Sequence, residues 1–212
     1  MTAFTRKRRK MAYSNFTFDK IRKELNLMTE DKTGLFSHIT EVKADEYFSK
    51  SLKEDNIPLG LAINTEKARS ELIIAPVLLE LRKMTNKQIS LFSGIEFDVI
   101  EEQGLNGICD FIVSLSSEQF FLDAPIVVIV EAKKEDIPKG LPQCIAEMRA
   151  SQIFNERREN QIETIYGVVT TGSNWKFLKL QNQTVYIDFD EYHIKELNKI
   201  MGILLSMCQK NS

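Results

Sequence analysis

Cysteine and histidine are scarce in this chain. Its 212 residues include three cysteines, Cys109, Cys144 and Cys208, odd in number, widely spaced and without a CxxC pair, so neither a thiolate zinc site nor a redox dithiol is indicated. They read as reduced, packed thiols. The two histidines, His38 and His193, lie far apart without a metal-ligand spacing, which argues against histidine-ligated metal centres and Ser-His-Asp catalysis. Neither GxxxxGK(S/T) nor GxGxxG occurs, so a nucleotide-cradling loop is unsupported. No segment approaches the roughly 20 apolar residues that span a bilayer. No apolar stretch follows the basic amino end, as a secretory signal requires. No membrane association and a cytoplasmic location are the expectation. Internal repeats and low-complexity linkers are missing too.

Charge of either sign is not in excess. Twenty-eight Lys and Arg against 30 Asp and Glu give −2 at pH 7, with 43% hydrophobic residues, the balance of a globular protein with no overall basic surplus to attract nucleic acid. Any basic surface must be local. The clearest is TRKRRK, where Arg6, Lys7, Arg8, Arg9 and Lys10 follow one another. Residues 1–12 are expected as a solvated, disordered tail, with a phosphate-contacting arm as the sharper alternative. The length suits one domain with a sizeable core better than two.

Residues 13–64 mix polar and apolar positions, with helical stretches expected around 18–28 and 43–54, and read as a helical extension packed on the core. Residues 65–212 form the main domain. Ile73, Val77 and Leu81 at spacing four predict a helix, with Pro76 kinking it or lying near its first turns. IEFDVIEEQ and ICDFIVSLS read as a hairpin joined through Asn106-Gly107. PIVVIVEAKK is apolar on both faces and therefore a central strand. GLPQCIAEMRASQIFNER predicts a helix, with Pro142 in its first turn. Three more strands follow, then an amphipathic helix capped by Asp190. This order predicts an α/β (α+β) protein with a mixed central sheet flanked by helices. Trp175 reads as a packing residue.

The chemistry sits where charge interrupts apolar strands. Side chains two apart on a strand share a face, so Glu131 and Lys133 point together and Ala132 points away. Asp110 is set between Cys109 and Phe111 in ICDFIV. If these strands are neighbours the carboxylates converge, and they tolerate each other only with a proton or cation between them. Hard oxygen ligands suit Mg²⁺ or Mn²⁺, and an adjacent lysine can hold a phosphate or the attacking water. An isolated E-x-K is uninformative, since residue frequencies predict about one chance match in such a chain. Its place at the end of an apolar strand, with an Asp in the strand before and a Gln-bearing helix after, is informative.

Asp110, followed after residues 111–130 by Glu131-Ala132-Lys133, resembles the PD-(D/E)xK nuclease superfamily, whose restriction endonuclease-like fold presents such groups at one sheet edge. Within it, GVVTTGSNWKFLKL is similar to the nuclease domain of type I restriction motor subunits and their stand-alone bacterial relatives. The resemblance covers about residues 65–205. It implies that Asp110 and Glu131 hold Mg²⁺ (or Mn²⁺) with the Ala132 backbone carbonyl, helped by Glu71 from the first helix. Lys133 would act on the nucleophile and the reacting phosphate, and Gln143 would support catalysis. Lys134 and Glu147 would contact substrate. Cys109 stands where the motif has proline, and Glu147 where some relatives have tyrosine. The implied partner is nucleic acid, DNA rather than RNA, with a homodimer or larger complex left open. The competing expectations are a non-catalytic module that keeps the fold to bind nucleic acid or a protein, and a subunit of a larger restriction or defence complex.

Overall fold

Seven strands form one continuous ladder in the computed structural model, which describes residues 12–53 and 64–209; the basic run Arg6–Lys10 lies outside them. They are β1 (Met28–Lys32), β2 (Ser90–Glu96), β3 (Ile108–Ser114), β4 (Ile126–Ala132), β5 (Thr164–Thr170), β6 (Asn174–Gln181) and β7 (Thr184–Asp188). Their order is β1-β7-β6-β5-β4-β3-β2, and β8 (Tyr192–His193) adds to β6 to complete an 8-stranded sheet. β4 pairs parallel with β5, and β1 with β7; the remaining pairs are antiparallel. The apolar run becomes β4, buried at every position and flanked by β3 and β5, the placement its two-sided hydrophobicity requires.

The helices are α1 (Phe18–Glu24), α2 (Glu46–Lys53), α3, α4 (Ile137–Arg157) and α5 (Leu197–Met207). Helix α3 is continuous through Glu66–Arg69, a π-turn at Ser70–Ile74 and Ala75–Met84. As the crossover between parallel β4 and β5, α4 buries Leu141, Cys144, Ile145 and Met148 in a cluster with Ile112, Ile129 and Ile165, which Tyr13, Phe16 and Ile21 extend. A second cluster joins Ile74, Val77, Leu78 and Leu81 of α3 and Ile200, Met201, Ile203 and Leu204 of α5 to Val128, Val130 and Phe177. The mixed sheet is thus flanked by helices, the α+β architecture expected.

Several local expectations are corrected. The helix expected around 18–28 ends at Glu24, and residues 28–32, within the extension expected to be helical, form an edge strand parallel to β7. Strand β2 begins and ends earlier than IEFDVIEEQ, whose Glu101–Gln103 forms a 3-10 turn. Pro138 occupies the first turn of α4 under an Asp136 cap, so Pro142 lies inside the helix. Asp190 does not cap α5; its Oδ2 accepts from Gly34 N–H at 3.1 Å. Because residues 192–193 are first drawn into β8, α5 is entered through a 3-10 turn, Ile194–Glu196, closed by a His193–Glu196 capping box. Trp175 is fully buried, and its Nε1–H donates to Gly172 O at 3.0 Å, as suits a packing residue. The three cysteines are buried and unpaired.

Candidate active site

The antiparallel ladder pairs Phe111 of β3 with Val130 of β4. Continued one step, that register sets Asp110 opposite Glu131, the first half-buried and the second buried. Asp110 Oδ2 accepts from Ala132 N–H at 2.8 Å. Lys133 follows directly, its N–H held by Thr170 O of β5 at 2.8 Å. Its Nζ donates to Glu131 Oε1 and, at 3.4 Å, to Gln143 Oε1 on α4. Gln143 Nε2 in turn donates to Glu147 Oε1 at 3.1 Å. A carboxylate, an ammonium, an amide and a second carboxyl group therefore form one chain from β4 to α4. Gly140 permits this close approach: a Cβ there would lie 2.6 Å from Val169 Cγ1 and 3.0 Å from the Lys133 stem, so any other residue would push the helix off the lysine.

Burial dominates the electrostatics. Glu131 is 1% exposed, and its Oε2 has no hydrogen-bond partner. Burial, then the charge of Asp110, pushes its carboxyl from 4.5 up to about 8, outweighing the pull of Lys133. Asp110 is also raised, by burial first, against the Ala132 N–H and Lys133. For Lys133, burial acts downward, but the Glu131 charge and hydrogen bond more than offset it, so its ammonium is held above the ordinary lysine value. Glu147, buried, is pushed well above the carboxylate range by that burial and by Glu131; its Oε2 also lacks a partner.

The donor set decides which cation the site could take. Among the described residues, no group of three or more His, Cys, Asp or Glu side chains forms a metal cage, so a tetrahedral protein-built centre does not fit. A hard divalent ion that keeps most of its waters does fit two facing carboxylates, and the orphaned buried Glu131 Oε2 is the atom such an ion would satisfy. Ala132, whose carbonyl was the third expected ligand, lies between Glu131 and Lys133 on the same strand end.

Two expected residues stand elsewhere. Glu71 is 62% exposed and pairs with Lys67 at 3.6 Å; the α3 carboxylate whose charge acts on Asp110, Glu131 and Lys133 is Glu66. The cause is the π-turn. Uninterrupted α spacing places Glu71 three residues before Ile74 and seven before Leu78, both buried, but the wider turn shifts that phase and leaves Glu71 outside. Glu66 was missed because only the π-turn distinguishes it, and Pro76 was the available signal. Lys134, by contrast, has the exposure that a substrate contact needs, with Glu135 at 3.6 Å. Glu147 was expected at the substrate, but it is buried behind Gln143, with no surface to offer one.

No family model matches this chain. The chain is similar to Crinkler effector protein 1 of Rhizophagus irregularis, with 25% identity over 184 residues. The match takes in 79% of this chain and 37% of that protein, so the chain spans well under half of its relative's length. Among the described residues, no helix is long and apolar enough to cross a membrane.

Proposed function

We propose that the chain is a metal-dependent nuclease of the PD-(D/E)xK type, hydrolysing phosphodiester bonds in DNA rather than RNA. The observation that carries this is the gathering of Asp110, Glu131, Lys133 and Gln143 at one sheet edge, with a buried carboxylate oxygen left unpartnered. The similarity to a protein named an effector supports an effector role over that of a restriction subunit.

Asp110 and Glu131, with the Ala132 carbonyl, would hold Mg²⁺ or Mn²⁺, which supplies an acidified water and neutralises phosphoryl charge when bound. Glu66 would add negative potential behind them. Glu131 keeps Lys133 charged and fixed in place, so its ammonium can donate to a phosphoryl oxygen as charge develops there. Gln143 limits the swing of that ammonium, and Glu147 fixes which end of the Gln143 amide faces Lys133. Glu147 thereby positions catalytic groups without touching substrate.

The test is cleavage of plasmid and single-stranded DNA with Mg²⁺ or Mn²⁺, comparing wild type with Asp110→Ala and Lys133→Ala. Each substitution is expected to lower the rate by about 10²–10³-fold or more; activity surviving both refutes the assignment. A non-catalytic binding module is the second reading, favoured by Lys133 already engaging Glu131, the residue that would have to ligate the metal. Calorimetric titration showing no Mg²⁺ binding at millimolar concentration would select it.

A further inference from the structure

Beside Lys133 lies a cleft of about 280 Å³ that the chemistry above does not use. Its lining includes Arg69, Lys134, Ser173, Asn174, Glu135 and Glu191. It adjoins the reacting groups through the backbone: Lys133 N–H bonds Thr170 O, and the Thr171–Ser173 turn follows immediately. Arg69 reaches this turn from α3, its Nη1 donating to Thr171 O at 2.8 Å and Ser173 Oγ at 3.4 Å. Its Nε is buried without a partner.

The charges in the cleft are unequally matched. Glu135 is met by Lys134 at 3.6 Å and Glu191 by Lys176 at 3.8 Å. Arg69 has only a carbonyl and a hydroxyl, and no carboxylate pairs with it among the described residues. A half-buried guanidinium without a counter-ion favours an incoming anion, and its planar fork suits phosphate. Lys134, Ser173 and Asn174 bring an ammonium, a hydroxyl and an amide to the same opening.

We propose that Arg69, Lys134 and Ser173 seat a second phosphate of a polynucleotide strand, next to the phosphate presented to Lys133. The substrate is then a chain of phosphodiesters and not an isolated phosphate ester. This rests on the nuclease reading above. Arg69 supplies the permanent charge, Ser173 the directional hydrogen bond, and Lys134 the attraction at the rim.

The test is fluorescence anisotropy with a labelled oligonucleotide in EDTA, where cleavage does not intervene, over a range of salt concentrations. Wild type is compared with Arg69→Ala, Lys134→Ala and Asp110→Ala. Loss of Arg69 should weaken binding about tenfold and reduce the slope of log affinity against log salt by about one. Lys134→Ala should reduce the slope similarly with a smaller loss of affinity, and Asp110→Ala should not weaken binding. Unchanged affinity and slope in both basic-residue variants overturn the seat, and so does a wild type that binds no oligonucleotide. Cleavage by wild type with unaffected Arg69→Ala and Lys134→Ala leaves the nuclease standing and removes the seat. The predicted salt dependence without any cleavage does the reverse. Because Arg69 also braces the turn, thermal midpoints accompany the measurements, and the exposed Lys134 carries the test if Arg69→Ala does not fold.

Discussion

Two carboxylates are fully buried at strand ends, and they are treated in opposite ways. Asp188, closing β7, accepts at Oδ1 from the N–H groups of Leu35 (3.3 Å) and Asp190 (3.2 Å), and at Oδ2 from Phe36 N–H (3.4 Å) and the Tyr192 hydroxyl (3.1 Å). Glu131, near the end of β4, has one ammonium on one oxygen and nothing on the other. The same contrast runs along α4. Asn155 accepts from Ile126 N–H at 2.8 Å and donates to Ile126 O at 2.7 Å, whereas Glu147 keeps an unpartnered oxygen. Asp188 and Asn155 serve the fold with their hydrogen-bonding capacity filled, whereas the unpartnered oxygens of Glu131 and Glu147 both lie in the cluster around Lys133 and Gln143.

That contrast can be broken most sharply at Glu131. Glu131→Gln is expected to reduce single-turnover cleavage by about 10²–10³-fold, roughly 3–4 kcal/mol of transition-state stabilisation, while stability in urea at neutral pH stays nearly unchanged, because the buried carboxyl it replaces already holds its proton there. Asp188→Ala should do the opposite. It strands several donors at once, for a loss of about 3 kcal/mol in unfolding free energy at about 1–3 kcal/mol per orphaned group, with activity per folded molecule retained.

The pH dependence of stability sharpens the comparison further. Glu131 holds its proton up to about pH 8 when folded and only to about 4.5 at its ordinary value. Between these values the folded state binds more protons, so the associated stability is fully present below pH 4.5 and is lost as pH rises through 8. Thermal midpoints measured without metal should therefore fall over that range, and Glu131→Gln should remove this part of the fall. The smallest effect is expected at Glu147→Gln. A carboxyl that burial pushes toward its neutral form is replaced by a neutral amide that can still accept from Gln143, so stability should stay within about 1 kcal/mol and cleavage within about tenfold. A larger loss would show that Glu147 works as a charge.

The sheet and the charged groups set into its central strands were legible because hydrophobic periodicity is local. The unbroken apolar run of β4 announced its central place, and the intrusion of Asp110, Glu131 and Lys133 into such strands picked out groups that lie where β3 and β4 end their pairing, Asp110 bonded to Ala132 N–H and Lys133 to Glu131. What was not legible depended on long-range competition. Residues 28–32 carry an exposed, polar pattern with no core face, and only the free edge of β7 makes them a strand. Asp190 looked like a helix cap, but Gly34, 156 positions away, recruits its carboxylate. Arg69 carried no signal, since its lack of a counter-ion is a property of the folded neighbourhood.

Pro76 has a consequence that reaches beyond its own turn. Without an N–H for the Leu72 carbonyl, the ladder there is carried by Ala75 N–H to Ser70 O, across five residues. Each residue of an α-helix is worth about 100° of rotation, so the stretch holding Glu66 and Arg69 is indexed independently of the stretch anchored by Val77, Leu78 and Leu81. Replacing this single imino acid would give the Leu72 carbonyl a donor again, and closing the turn to regular α spacing would swivel the polar segment while the greasy one keeps its grip.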